Sequence, residues 1–211
     1  MTRTRWVHRL FGLAALIIAT ASCGDVIRQD RSPVILIMNA LAAQQGNKPG
    51  VFFSNLTSDV LTNVTTPAPC SPTSPCPTIF NDVGQVTLSL VLKNIGSPSA
   101  VTAPTTNNLV TITRYHVSYR RTDGRNTPGR DVPYPFDAGI TGTVPVSGTF
   151  IMGFEIVRVV AKEESPLVQL VTSPTFISSI CDVTFYGHDT VGNQVSVTGS
   201  INIEFGNFGD F

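Results

Sequence analysis

From residue 84 onward, apolar and polar residues alternate along most of the chain. Alternation with a period of two marks a strand with one buried face. In residues 85–94, Val86, Leu88, Leu90 and Leu92 share one face, and Thr87, Ser89 and Lys93 share the other. In residues 109–120 the apolar phase changes: Val110 and Ile112 lie on one side, Tyr115, Val117 and Tyr119 on the opposite parity. Such a change predicts a bulge near Thr113 and Arg114, with Arg114, His116, Ser118 and Arg120 facing outward. Residues 140–146 and 149–162 read as further strands. The second is apolar on both sides, with Phe150, Met152, Phe154 and Ile156 against Val157, Val159 and Ala161, which predicts a path through the centre of the core. Residues 180–188 set Cys181, Val183 and Phe185 against Asp182, Thr184, Tyr186 and His188. Gly192 and Asn193 supply a tight hairpin turn. Val195, Val197, Gly199, Ile201, Ile203 and Phe205 then alternate strictly.

The first half is less regular. Residues 34–43, VILIMNALAA, follow Pro33 and start with β-branched residues, which favours a strand; a short buried helix is the alternative. Residues 51–64 hold one or two short strands around Val60 and Leu61. Residues 65–78 are rich in Pro, Thr and Ser and read as an irregular surface loop. Only 13% of the chain is charged, and Thr, Ser, Val and Gly fill the remainder. That composition suits strands and turns rather than amphipathic helices.

The N-terminus has a different character. Arg3, Arg5 and Arg9 precede an uncharged run over residues 10–21. The run is too short to cross a hydrocarbon layer of about 30 Å at about 1.5 Å per residue. Its length fits a secretory signal. It ends in Ala19, Thr20, Ala21 and Ser22, followed by Cys23. This stretch resembles the lipobox of bacterial lipoproteins, in which the cysteine thiol is lipidated and becomes the first residue after cleavage. The resemblance implies that residues 1–22 are a signal peptide and that Cys23 carries acyl chains such as palmitate. Residues 23–33 would then be a short tether at a membrane. Each buried methylene contributes roughly 0.8 kcal/mol, so two or more chains hold firmly. The implied location is the cell envelope, on the extracytoplasmic side of the inner or the outer membrane.

Export gives the other cysteines a meaning. Cys70 and Cys76 flank SPTSP, and in an oxidising space such a pair is expected to close. Free thiols and a metal site are the weaker readings, since no His or further Cys stands nearby. Cys181 falls in phase with core positions. Without its signal the chain carries 11 basic and 14 acidic residues. A weakly acidic protein has no electrostatic reason to bind nucleic acid.

The stretch ITRYHVSYRRTDG, residues 112–124, resembles the third strand of fibronectin type III domains. The likeness extends loosely over residues 84–205. The DxxGN turn at Asp189 to Asn193 is similar to the last turn of bacterial Ig-like domains. These resemblances imply an all-β, antiparallel Ig-like or fibronectin type III-like β-sandwich of about seven to nine strands. The sandwich is placed at residues 84–211, with the strands and Pro/Thr-rich loop of residues 34–83 packed on it.

Residues 121–139, RTDGRNTPGRDVPYPFDAG, form the most distinctive connection. Arg121, Arg125, Arg130, Tyr134 and Phe136 are the candidate binding residues, because loops on a rigid scaffold carry recognition. The competing reading pairs these arginines with Asp123 and Asp131 and packs the rings onto the sheet. No G-x-S-x-G elbow, H-E-x-x-H helix or phosphate-binding glycine loop occurs. Asp189 alone does not make a calcium site. No catalysis, cofactor or metal is expected. The expected role is a membrane-anchored structural or interaction module with an envelope protein as partner. The alternative is a carbohydrate-binding module using Tyr134, Phe136 and Tyr186 as stacking rings.

Overall fold

The computed structural model describes residues 31–209. The signal segment, Cys23 and Phe211 lie outside them. In chain order the strands are β1 (Val34–Gln44), β2 (Asn55–Asp59), β3 (Thr62–Val64), β4 (Cys76–Thr78), β5 (Asp82–Leu92), β6 (Gly96–Ser97), β7 (Ala100–Val101), β8 (Val110–Arg120), β9 (Phe136–Val144), β10 (Phe150–Val157), β11 (Ile177–Asp189) and β12 (Gln194–Gly206). A single turn of helix, α1 (Val159–Glu163), follows β10.

Two sheets pack face to face as an all-β sandwich. One has the order β1-β5-β10 and the other β2-β12-β11-β8-β9. The pairings are antiparallel except β2 with β12, which is parallel. Residues 34–83 thus supply a strand to each sheet: β1 beside β5, and β2 beside β12. Two small hairpins, β3-β4 and β6-β7, lie outside the main sheets.

The alternating pattern sets the inner faces. Val86, Leu88 and Leu90 of β5 are buried, as are Cys181, Val183 and Phe185 of β11. Burial of such side chains contributes roughly 1.5–3 kcal/mol each. The phase change in β8 is a bulge: the register with β9 shifts between Ile112 and Arg114, and the register with β11 between Tyr186 and Gly187. β1 carries a similar shift between Met38 and Ala40. That shift explains why its periodicity alone fits neither element cleanly: Val34 and Leu36 are buried before it and Ala43 after it.

Aromatic rings fill the centre. Tyr115, Phe154 and Phe185 meet with centroids 5.1–5.9 Å apart. The Phe154 ring lies over Gly84, its neighbour on β5; a Cβ there would meet the ring at 2.4 Å. The Tyr119 hydroxyl donates to the Ile156 carbonyl at 2.6 Å, tying the two sheets. In the β11–β12 turn, Gly192 takes φ +85°, which an L side chain resists. Asp189 closes that turn by accepting the Val191 and Asn193 N–H groups at 3.1 and 2.8 Å.

The strand expected over residues 149–162 is corrected. β10 ends at Val157 and, among the described residues, pairs only with β5, so it is an edge strand. Its inward residues Met152, Phe154 and Ile156 are buried, while Ile151 is 58% exposed on the outer face. The apolar residues beyond Val157 belong to α1, where the period of two no longer applies. β9 begins at Phe136 rather than at residue 140, which places Phe136 in the sheet and not in the preceding loop.

Candidate functional site

The connection between β8 and β9 carries the arginines singled out above. Asp123 is its centre. Arg121 and Arg125 each place a guanidinium nitrogen 2.7 Å from Asp123 Oδ2, and the Arg125 N–H donates to Oδ1 at 3.1 Å. These donors hold the Asp123 carboxyl well below the usual carboxylate range. Arg130 pairs with Asp131 at 2.9 Å, and Asp131 also accepts the Thr127 N–H. The Asn126 side chain accepts the Arg121 N–H at 2.6 Å. Short Asp-centred turns of this kind form because a carboxylate accepts from backbone groups a few residues away.

The arginines are therefore partnered within the loop, while Arg125 and Arg130 remain largely exposed. Tyr134 is 57% exposed. Phe136 is half-buried: its ring meets Tyr115 edge-on, and the Arg158 guanidinium lies 3.7 Å from its centroid. The structure brings Arg121 and Arg125 together on Asp123 and holds Arg130 on a separate carboxylate.

The outer face of the five-stranded sheet is polar. Arg114, at the β8 bulge, lies 3.7 Å from the Tyr186 ring centroid and 3.1 Å from Asp137 Oδ1. His116 Nδ1 is 3.2 Å from Asp137 Oδ2. Further along, Arg120 Nε is 2.7 Å from Asp182 Oδ2, and Ser200 donates to Asp182 Oδ1. Partial burial pushes the Asp182 carboxyl up, but Arg120 and Ser200 more than offset it and the net shift is downward. The register places these groups side by side: Asp137 opposite His116, His116 opposite Thr184, and Thr184 opposite Thr198. A guanidinium thus lies over one face of the Phe136 ring and another over one face of the Tyr186 ring.

A third cluster is buried at one end of the sandwich. Lys162 Nζ lies 2.9 Å from Asp82 Oδ2, and both side chains are 1% exposed. Nζ also donates to the Asp59 carbonyl at 2.8 Å. Asp82 Oδ1 accepts the Gly46 N–H at 3.0 Å, and Oδ2 accepts the Ser58 hydroxyl at 2.6 Å. The Asp59 carboxylate accepts Thr62 Oγ1 at 2.8 Å and the Phe208 N–H at 3.1 Å. Burial pushes the Asp82 carboxyl up from its ordinary value, against the pull of Lys162, Ser58 and Gly46. Sequence reasoning missed this cluster. No signal in the sequence pointed to it, since Lys162 stands directly before Glu163 and Glu164 and reads as part of a solvated turn.

Cys70 and Cys76 form the expected disulfide, which pins the Pro-rich loop to β4. Cys181 is a buried free cysteine, and burial pushes its thiol well above the usual range. A thiol so shifted is no nucleophile at neutral pH. Among the described residues, no group of three or more His, Cys, Asp or Glu is placed to hold a metal. No described helix is long and apolar enough to cross a membrane. No protein-family model, curated protein or solved structure matches the chain.

Proposed function

We propose that this chain is a lipid-anchored module of the cell envelope that faces the extracytoplasmic side and works by holding a protein partner, without chemistry of its own. The observation that carries this reading is the edge of β9, FDAGITGTV, which among the described residues pairs with β8 on one side only. Natural edge strands are guarded by Lys, Pro or a bulge that twists the edge away. β9 has neither Lys nor Pro within it, and its register shift against β8, between Gly142 and Gly139, leaves regular pairing on either side. An edge of this kind accepts an added strand, with main-chain hydrogen bonds giving affinity. The 121–135 connection leads directly into that edge, so the exposed Arg125, Arg130 and Tyr134 are near neighbours of an incoming strand. The covered faces of Phe136 and Tyr186 favour a protein over a glycan.

The Cys70–Cys76 disulfide supports export, because such bonds persist in oxidising compartments. We further read the sandwich as Ig-like, of the fibronectin type III kind. β1, β5 and β10 stand where strands A, B and E would lie, and β8, β11 and β12 stand where C, F and G would lie in the facing sheet.

The anchor is tested by palmitate labelling of the wild type and Cys23→Ser. The label disappears from the variant, and its persistence overturns the lipid reading. The partner is tested by crosslinking in intact cells followed by pull-down from solubilised membranes. A partner is recovered with the wild type and lost with Thr141→Lys, which places a charge on the open strand. Failure to recover any reproducible partner would sink the interaction reading.

A further inference from the structure

We propose that Lys162 and Asp82 condense, with loss of one water, into an intramolecular isopeptide bond. The geometry is that of an amine held against a carboxyl group in a dry site. Nζ and Oδ2 are 2.9 Å apart, and neither side chain reaches solvent. The Asp59 carbonyl takes one Nζ hydrogen at 2.8 Å and so fixes the amine from behind. The two carboxyl oxygens have different partners. Oδ1 accepts a backbone N–H, from Gly46 at 3.0 Å, whereas Oδ2 accepts the Ser58 hydroxyl at 2.6 Å and faces the amine.

The step balances within the cluster. One proton passes from the Nζ ammonium to Oδ2, turning the ion pair into an amine and a carboxylic acid. The Nζ lone pair then attacks Cγ, and the carbonyl electrons move onto Oδ1, where the Gly46 N–H stabilises the developing charge. A second Nζ proton reaches Oδ2, directly or through the Ser58 hydroxyl. The Cγ–Oδ2 bond breaks, Oδ2 leaves as water, and the Oδ1 carbonyl re-forms. The amide nitrogen keeps the third hydrogen. Nothing is oxidised or reduced, and no co-reactant is needed.

Two physical arguments give the reaction a direction. In water, ionisation stabilises an amine and an acid as separate charged species. In a buried site that stabilisation is largely lost, because two charges are costly to desolvate. Burial already pushes the Asp82 carboxyl towards its neutral, attackable form. The product is a neutral amide, and the reverse reaction needs water in a site that excludes it. Fixed geometry supplies the rest, since an oriented pair behaves as though present at very high concentration.

Peptide mapping of the full chain, purified, reduced and denatured, provides the test. Trypsin does not cleave at a modified Lys162, so the fragment containing Asp82 appears joined to the one containing Lys162. The joined species weighs one water less than the two linear peptides together. A Lys162→Arg chain gives only linear peptides. Linear wild-type peptides with cleavage after Lys162 in full yield would overturn the proposal. The wild-type measurement stands even if the variant fails to fold, and its outcome is independent of the anchor and of any partner.

Discussion

Lys162 Nζ and Asp82 Oδ2 meet at 2.9 Å in the interior, although one residue stands on α1 after β10 and the other opens β5. Removing either member takes away the pair, and any bond formed across it, and leaves the other polar group buried alone. Breaking a buried pair in this way costs about 3–5 kcal/mol. Lys162→Met is therefore expected to lower the urea midpoint strongly. Arg130→Ala, which removes an exposed pair, is expected to leave the midpoint unchanged within error. Equal midpoints for the two variants would contradict this ranking.

The Tyr119 hydroxyl bridges the sheets by donating to the Ile156 carbonyl at 2.6 Å. Tyr119→Phe keeps the ring, with its edge-on contact to Phe205, and removes only the bridge. The expected loss is about 1–2 kcal/mol, since a buried carbonyl gives up a donor. Equilibrium unfolding of the two proteins measures it directly, and burial pushes the Tyr119 hydroxyl well above its ordinary range, so the effect should not vary between pH 6 and 8.

Gly84 leaves room for the Phe154 ring. Gly84→Ala would place a methyl group 2.4 Å from ring carbon Cζ. The ring must shift within a centre it shares with Tyr115 and Phe185. Overpacking of this kind costs about 1–3 kcal/mol. A thermal melt of the variant should show the loss, and Gly139→Ala, at a position where a Cβ meets nothing within 4 Å, should not.

Stability should depend on acid in a definite direction. Asp123, Asp131, Asp182 and Asp189 are all held below their ordinary value in the folded chain. In the unfolded chain they take up protons first as the pH falls. Their contribution is complete above about pH 5 and is lost as the pH drops through the folded values. Asp82, in any chain where it has not condensed with Lys162, acts oppositely, because its folded value is raised: the stability linked to its protonated form is present at low pH and is lost as the pH rises through that value. Below about pH 4 four groups oppose one, so urea midpoints should fall there. A midpoint that rises on acidification would show that Asp82 dominates.

The parts of the molecule that were legible in the sequence share a local cause. The β11–β12 hairpin was read to within three residues at each strand end, because strict alternation and the Gly192 turn mark both strands. The β8 bulge was read from the change of phase at Thr113 and Arg114. The Cys70–Cys76 bond was read from spacing and compartment. α1 was not legible: a one-turn helix is too short to show a period of 3.6, and its apolar residues looked like more of β10. Nor was the partnering of the loop arginines decided by sequence, since Asp123 and Asp131 made it one of two readings.

By itself, then, the sequence determined which faces of the strands turn inward, where the main turns fall and which cysteines are paired. These depend on side-chain periodicity and on backbone constraints that act within a few residues. Only the tertiary structure decided the order β1-β5-β10 against β2-β12-β11-β8-β9, the parallel pairing of β2 with β12, the edge position of β9 and the meeting of Lys162 with Asp82. Those relationships join residues far apart in the chain. They are selected by the packing of two whole sheets against each other, and no local pattern encodes them.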